Sequence, residues 1–240
     1  MDTVLRPDLF AGRSVLVVGG TGGIGGAVAE RFGELGAKVT AAGLPSDAPL
    51  PTGTKFVQVD ISRDGELESV VEELGELHVL VNCAGIIRRK LEYKLDVFAQ
   101  VVDVNLTGTM RACVASHDLL AASQGCIINI ASMLSYFGGP LVPAYSASKG
   151  GVVQLTKALA VAYAEDDIRV NAVAPGWIRT DLTAALQDDQ EAERRILDRT
   201  PLRRWGMPAD VADTVAFLAS PAAAFITGAV VPVDGGYLAA

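Results

Sequence analysis

The first apolar run of the chain, Ser14–Val18, breaks directly into glycine: Val17-Val18-Gly19-Gly20-Thr21-Gly22-Gly23-Ile24-Gly25-Gly26. A helical pattern follows, with Ile24, Val28, Phe32 and Leu35 at three- and four-residue steps and Gly36 at its end. A strand that turns through glycines into a helix restricts the fold more than any other feature here. Glycine permits the tight turn and lets the backbone approach a pyrophosphate, while free N–H groups at the helix start favour anionic charge. The alternation then continues. Strand-like runs fall at 38–42, 55–59, 79–81, 126–130, 169–173 and 229–233, with helical stretches at 66–74, 96–121, 146–164 and 208–219. Short apolar strands separated by helices predict a parallel sheet covered on both faces, an α/β doubly wound architecture.

No repeat, low-complexity tract or Ser/Gly linker divides the chain, so residues 1–240 are expected to form one domain. Residues 44–53 hold three prolines and are expected to be irregular. Residues 177–205 are charged and helical in places, and interrupt the alternation late in the chain. Half of the residues are hydrophobic, enough for a full core. No apolar run reaches the ~18 residues of a membrane span, and Met1-Asp2-Thr3-Val4-Leu5-Arg6 lacks a secretory pattern. Cys83, Cys113 and Cys126 are odd in number and set in apolar surroundings, which reads as reduced thiols of a cytoplasmic protein without metal-ligand spacing. A net charge of −8 argues against nucleic acid or anionic membrane as the partner.

Chemistry concentrates in Tyr145-Ser146-Ala147-Ser148-Lys149, with Ser132 upstream at the end of an apolar run. Tyrosine and lysine four apart share one helix face. Phenol, with a reference pKa near ~10, is a poor base at neutral pH. An ammonium held ~4 Å away at an effective dielectric of ~20 supplies the ~4 kcal/mol that would lower that pKa by ~3 units. A tyrosine so tuned passes a proton to or from a substrate hydroxyl. The usual ribose-binding carboxylate at the end of the second strand is missing: Ala41-Ala42-Gly43-Leu44 offers neither acid nor arginine.

With these residues assembled, the chain resembles the short-chain dehydrogenase/reductase family along essentially its full length. Gly19-x-x-x-Gly23-x-Gly25 matches that family's dinucleotide turn, and Val81-Asn82-Cys83-Ala84-Gly85 its Asn-Asn-Ala-Gly segment. Asn105 falls at the family's helix asparagine, and Ser132 stands thirteen residues before Tyr145. Pro175-Gly176-Trp177-Ile178-Arg179-Thr180 and Val233-Asp234-Gly235-Gly236-Tyr237 complete the order. Val18 replaces a common threonine and Cys83 the second asparagine; neither departure touches the catalytic set. The resemblance implies a seven-stranded parallel Rossmann sheet with a substrate-covering loop around 177–205. It also implies roles. Tyr145 is the general acid/base, Lys149 lowers its pKa and bonds the nicotinamide ribose, Ser132 bonds the substrate oxygen, and Asn105 holds a water linking Lys149 to solvent. Gly19, Thr21, Gly22, Gly23, Ile24 and Gly25 would hold the cofactor, together with Asp60, Ile61, Cys83, Ala84, Gly85, Tyr145, Lys149, Pro175, Gly176, Ile178 and Thr180.

A narrower resemblance, to the gluconate and deoxygluconate dehydrogenase branch, rests on Ala84-Gly85-Ile86-Ile87-Arg88-Arg89, Ser132-Met133-Leu134-Ser135 and Arg204-Trp205-Gly206. The expected function is hydride transfer between NAD, or NADP, and a secondary alcohol or ketone on a sugar acid or related polyol. Arg88 or Arg89, at the carboxyl edge of the sheet, is expected to grip the carboxylate. NAD is favoured because no cation flanks Gly22 or Gly43, although Lys38 and Arg63 stand within reach. A homotetramer is expected, paired through the helix at 150–164 and the one around 97–117. The alternatives are a 3-oxoacyl carrier-protein reductase, for which an acidic chain is less natural, and a nonenzymatic dinucleotide sensor, which would not need Ser132, Tyr145, Lys149 and Asn105. His78 and His117 read as ordinary histidines without carboxylate pairing, residues 188–191 as a solvated face, and Arg204 as a structural anchor.

Overall fold

In the computed structural model, residues 5–46 and 49–240 are described; Met1 to Val4 and two residues of the proline-rich segment, Asp47 and Ala48, lie outside them. Strands β1 (Ser14–Val18), β2 (Lys38–Gly43), β3 (Lys55–Gln58), β4 (Val79–Asn82), β5 (Cys126–Ile130), β6 (Arg169–Pro175) and β7 (Val230–Val233) form one sheet. All pairings are parallel, in the order β3-β2-β1-β4-β5-β6-β7. The order reverses between β1 and β4, and ligands of open α/β sheets bind at the carboxyl ends of the strands there.

Successive residues of the central strands point to opposite faces, and both faces are covered. Val15, Val17, Val79, Val81, Ile128 and Ile130 join Val28, Phe32, Val211 and Val215 on one side. Leu16, Val18, Leu80 and Ile127 join Val70, Val71, Cys113 and Leu159 on the other. That is why the strands read as continuous apolar runs rather than as alternation. Helices α1 (Gly23–Glu34) and α2 (Glu66–Leu74) take one face each.

The helix expected over 96–121 is broken. It divides into α3 (Leu95–Val102), a π-helical turn (Asp103–Thr107), α4 (Gly108–Ala115) and α5 (His117–Ser123). The wide turn carries Asn105, whose side chain is drawn out of the helix surface into bonds with the loop after β4. Single-turn widening of this kind marks functional positions. Helix α6 (Pro143–Ala162) starts three residues before the apolar pattern indicates, with proline presetting φ in its first turn.

Residues 177–205 are more helical than a loop. A 3₁₀ turn (Asp181–Thr183) precedes α7 (Ala184–Gln187) and α8 (Gln190–Arg199), and Asp189 caps α8 through the N–H groups of Glu191 and Ala192 at 3.0 and 3.1 Å. Helix α9 (Pro208–Ala219) follows. Arg204 anchors this join, donating two bonds to Asp210 at 2.7 and 3.0 Å and one to the Trp205 carbonyl.

Candidate active site

At the end of β1, Gly19 has φ +81°, and a Cβ there would run into the backbone of Ala84. A Cβ on Gly25 would fall on the Gly19 carbonyl oxygen. The turn is thus packed backbone to backbone against the loop after β4, where the N–H groups of Cys83 and Ala84 both donate to the Val18 carbonyl. No side chain caps the start of α1, and no acid lies in its first turn. Its first turn lines a cleft of about 540 Å³, and among the described residues no side chain caps the orphan N–H groups there. A close backbone cradle at an uncapped helix start fits a pyrophosphate.

The cleft gathers Gly19, Thr21, Gly22, Gly23, Ile24 and Gly25 with Asp60, Ile61, Cys83, Ala84, Gly85 and Thr180. Asp60 borders it while capping its own turn: it accepts from the Ser62 N–H at 3.0 Å and hydroxyl at 2.7 Å, and these bonds hold its carboxyl below the usual range. Pro175, Gly176 and Ile178 line a neighbouring cavity instead, and Ile24 and Thr180 line both. Burial pushes the Cys83 thiol, beside the turn, up to about 12, which leaves it unreactive.

The second cavity, about 430 Å³, contains Ser132 and Tyr145. Ser132 is the extended residue after β5; its Oγ accepts from the Leu134 N–H at 3.1 Å, and Ser135 Oγ accepts from the Ser132 N–H at 3.3 Å. Ser135 in turn donates to the Lys149 carbonyl at 2.7 Å, which fixes the serine turn against α6. Tyr145 lies in the first turn of that helix, with Lys149 one turn on. Burial pushes the Tyr145 phenol up, while a hydrogen bond with Ser132 and the Arg89 charge draw it down. Lys149 is buried and its amine is lowered to about 8. It donates to the Ile130 carbonyl at 2.6 Å and stands 5.8 Å from the centroid of the Tyr145 ring. Burial outweighs the lowering by Ser132 and Arg89, so the phenol stands above its ordinary value.

Asn105 sits buried in the π-helical turn. Its Oδ1 accepts from the Ile86 N–H at 2.8 Å, and its Nδ2 donates to the Ile86 carbonyl and to Ser148 Oγ, both at 3.0 Å. With its side chain engaged in this way it braces the loop after β4 against α6. The two arginines of that loop part company. Arg88 lines the cofactor cleft and Arg89, half-buried, lines the cavity of Ser132 and Tyr145.

Two residues here were not found from the sequence. Glu92 is 1% exposed, and its carboxylate accepts the N–H groups of Arg88 and Tyr145, both at 2.8 Å. Arg199, at the end of α8, reaches the same cavity as Arg89. Neither carries a clear signal, since the helix that Glu92 joins to its own loop begins only at Pro143, with Tyr145 53 residues away, and the rings under Arg199 lie on separate segments. Away from the site, His78 accepts from the Ser14 N–H at 3.1 Å. His117 does have carboxylate partners, Asp118 and Asp166, each at 3.0 Å, which raise its pKa.

The profile of a family described as enoyl-(acyl carrier protein) reductase matches residues 19–238. A 2-dehydro-3-deoxy-D-gluconate 5-dehydrogenase of Dickeya dadantii is 37% identical, covering 98% of this chain and 99% of its own. A cis-4-hydroxycyclohexanecarboxylate dehydrogenase of Sinomonas cyclohexanicum is 38% identical over 97% of this chain and 99% of its own. A solved structure from Beutenbergia cavernae, assigned as an NAD(P)-dependent gluconate 5-dehydrogenase and holding NADP, superposes with TM-score 0.90. It is 38% identical and covers 98% of this chain and all of that one. Profile, relatives and the joined cleft and cavity agree: the chain belongs to the short-chain dehydrogenase/reductase family and is a nicotinamide-dependent oxidoreductase acting on a carbinol or its ketone.

Proposed function

We propose that the protein interconverts a secondary hydroxyl and a ketone on a sugar acid, with Arg89 gripping the substrate carboxylate. The observation that carries this reading is Arg89 itself. It is a half-buried guanidinium in the cavity of Ser132 and Tyr145, and among the described residues it meets no carboxylate. Leaving a charge partly desolvated without a partner is costly, and a substrate carboxylate removes that cost with two parallel hydrogen bonds. Relatives that act on gluconate derivatives and on a cyclic hydroxy acid support the same substrate chemistry.

In this reading the residues act as follows. Tyr145 takes the hydroxyl proton in oxidation and returns it in reduction. Ser132 donates to the substrate oxygen and holds it beside the phenol. Lys149, one helical turn on with its amine lowered to about 8, is the next group on the proton's route from Tyr145. Asn105 and Glu92 fix the loop that carries Arg89. The dinucleotide, when bound in the glycine cradle, supplies the hydride acceptor or donor. Residues 177–205 cover the substrate of what is a single domain.

The cofactor is NAD in preference to NADP. Of the two cations, Lys38 opens β2 at the sheet's opposite edge and pairs with Glu76 at 3.3 Å, while Arg63 is engaged by Asp60 and Glu66 at 3.6 and 3.3 Å. The assembly is a homotetramer, supported by the apolar side chains that α3, α4 and α6 leave exposed. The test of the substrate reading is a panel of sugar acids, each paired with its uncharged amide and assayed with both dinucleotides. The native enzyme should prefer the acids, and Arg89→Ala should lose at least ~10-fold in kcat/KM on acids with little change on amides. An Arg89→Ala enzyme that keeps the native preference for acids, or a native enzyme that shows none, would sink the assignment.

A further inference from the structure

Arg199 closes α8, and that helix end is fixed: the Thr200 N–H donates to the Ile196 and Leu197 carbonyls, and Thr200 Oγ1 donates to the Ile196 carbonyl at 2.8 Å. The guanidinium lies over two aromatic rings, 4.3 Å from the centroid of Tyr237 and 5.2 Å from that of Phe137. Those rings stack on each other with centroids 6.0 Å apart and planes at 29°. A guanidinium stacked by its face keeps its N–H donors in the plane of its edge, where they remain available. Among the described residues no hydrogen bond or ion pair takes them.

The contrast with its neighbours is informative. Arg179, Arg195, Arg203 and Arg204 of the same segment meet Glu193, Glu191, Asp198 and Asp210, whereas Arg194 and Arg199 meet no carboxylate among the described residues. Arg199 meets aromatic faces instead, and it lines the cavity that holds Arg89, Ser132 and Tyr145. Arg89 is close enough to bear on the Tyr145 phenol, whereas Arg199 is not among the charges that do. Arg89 and Arg199 thus reach one largely apolar cavity from separate segments, Arg89 from the loop after β4 and Arg199 from α8.

We propose that Arg199 supplies a second grip on the substrate carboxylate, reaching it from α8. This rests on the sugar-acid reading above. Stacking fixes the plane of the guanidinium before substrate arrives, so little side-chain entropy is lost when its edge meets the acid. A charge-assisted bond is roughly twice as strong as a neutral one, and the stack need not be given up to make it.

The test uses Arg199→Met, which keeps the length of the stem and removes the fork, and Arg199→Lys, which keeps the charge. Both are assayed on the acid best used in the panel and on its amide. The expected result for Arg199→Met is a KM for the acid raised at least ~10-fold, kcat within ~2-fold, and the amide unchanged, as for a contact made equally in ground and transition states. Arg199→Lys should recover part of the loss. Equal losses on acid and amide would mean that the stack only supports the fold, and would overturn the proposal. An unchanged KM for the acid would overturn it too. Arg89→Ala separates the two readings: if it abolishes the preference for acids while Arg199→Met does not, only the second grip falls. If neither variant changes the preference, or no acid is used, both fall.

Discussion

Lys149 occupies a position where its charge costs the folded protein stability. Burial lowers its amine to about 8, against an ordinary 10.5. Below about pH 8 it is charged in both folded and unfolded chains, and the folded state carries the whole cost of desolvation. Between pH 8 and 10.5 the unfolded chain binds the additional proton, so this cost is relieved as pH rises. Lys149→Met should therefore raise the melting temperature of the cofactor-free protein at pH 6.5, by 2–4 °C for each ~1 kcal/mol recovered. The gain should shrink at pH 9.5, while turnover falls by about 100-fold or more. A calorimetric scan in which the variant melts no higher than the native protein at pH 6.5 would rule this out. The serine, tyrosine and lysine were legible in the sequence because a four-residue step places two of them on one helix face. The balance of charges around them was not. Arg89, 56 residues before Tyr145, bears on the phenol only through the fold, drawing its pKa down against the burial that pushes it up.

Helix α6 begins without a capping side chain of its own, yet the N–H of Tyr145 in its first turn is satisfied, by Glu92. A carboxylate at a helix start is favoured by the orphan donors and by the macrodipole. The same carboxylate holds the Arg88 N–H, so one buried acid joins the substrate-facing loop to the helix of the proton-transfer residue. Glu92→Gln should weaken both links and remove a negative charge that raises the phenol's pKa. The expected outcome is an alcohol-oxidation rate profile displaced to lower pH, with a fall of about 1–3 kcal/mol in urea-unfolding stability for each bond left unmade. A profile that stays in place would remove Glu92 from the positioning of Tyr145. At this scale the sequence misled in one place. The periodicity from 96 to 121 reads as one helix because a π-helical turn of five residues hardly disturbs the apolar spacing, and the cause of the break, Asn105 reaching to Ile86, is a contact across 19 residues.

The sheet was the most legible part of the molecule, since strands covered on both faces carry their burial in continuous apolar runs, as 14–18 and 126–130 do. Surfaces between copies leave a weaker trace. Leu95 on α3 is 85% exposed and Val161 on α6 is 79% exposed, with Met110 and Val114 of α4 also at the surface. For the homotetramer proposed here, sedimentation at micromolar concentration should give about 100 kDa, four times the 25.0 kDa chain. Val161→Asp should shift it to smaller species, because a buried unpaired charge is costly. Monomer alone in the native protein would count decisively against the assembly. No helix of the described residues is long and apolar enough to cross a membrane. The stacking of Arg199 on Tyr237 has a consequence for how the protein is made. The glycine cradle is encoded by residue 25, and most of its opposite wall by residue 104, whereas Tyr237, half of the platform beneath Arg199, follows the last strand of the sheet. Until that residue emerges from the ribosome, Arg199 has only Phe137 to rest on.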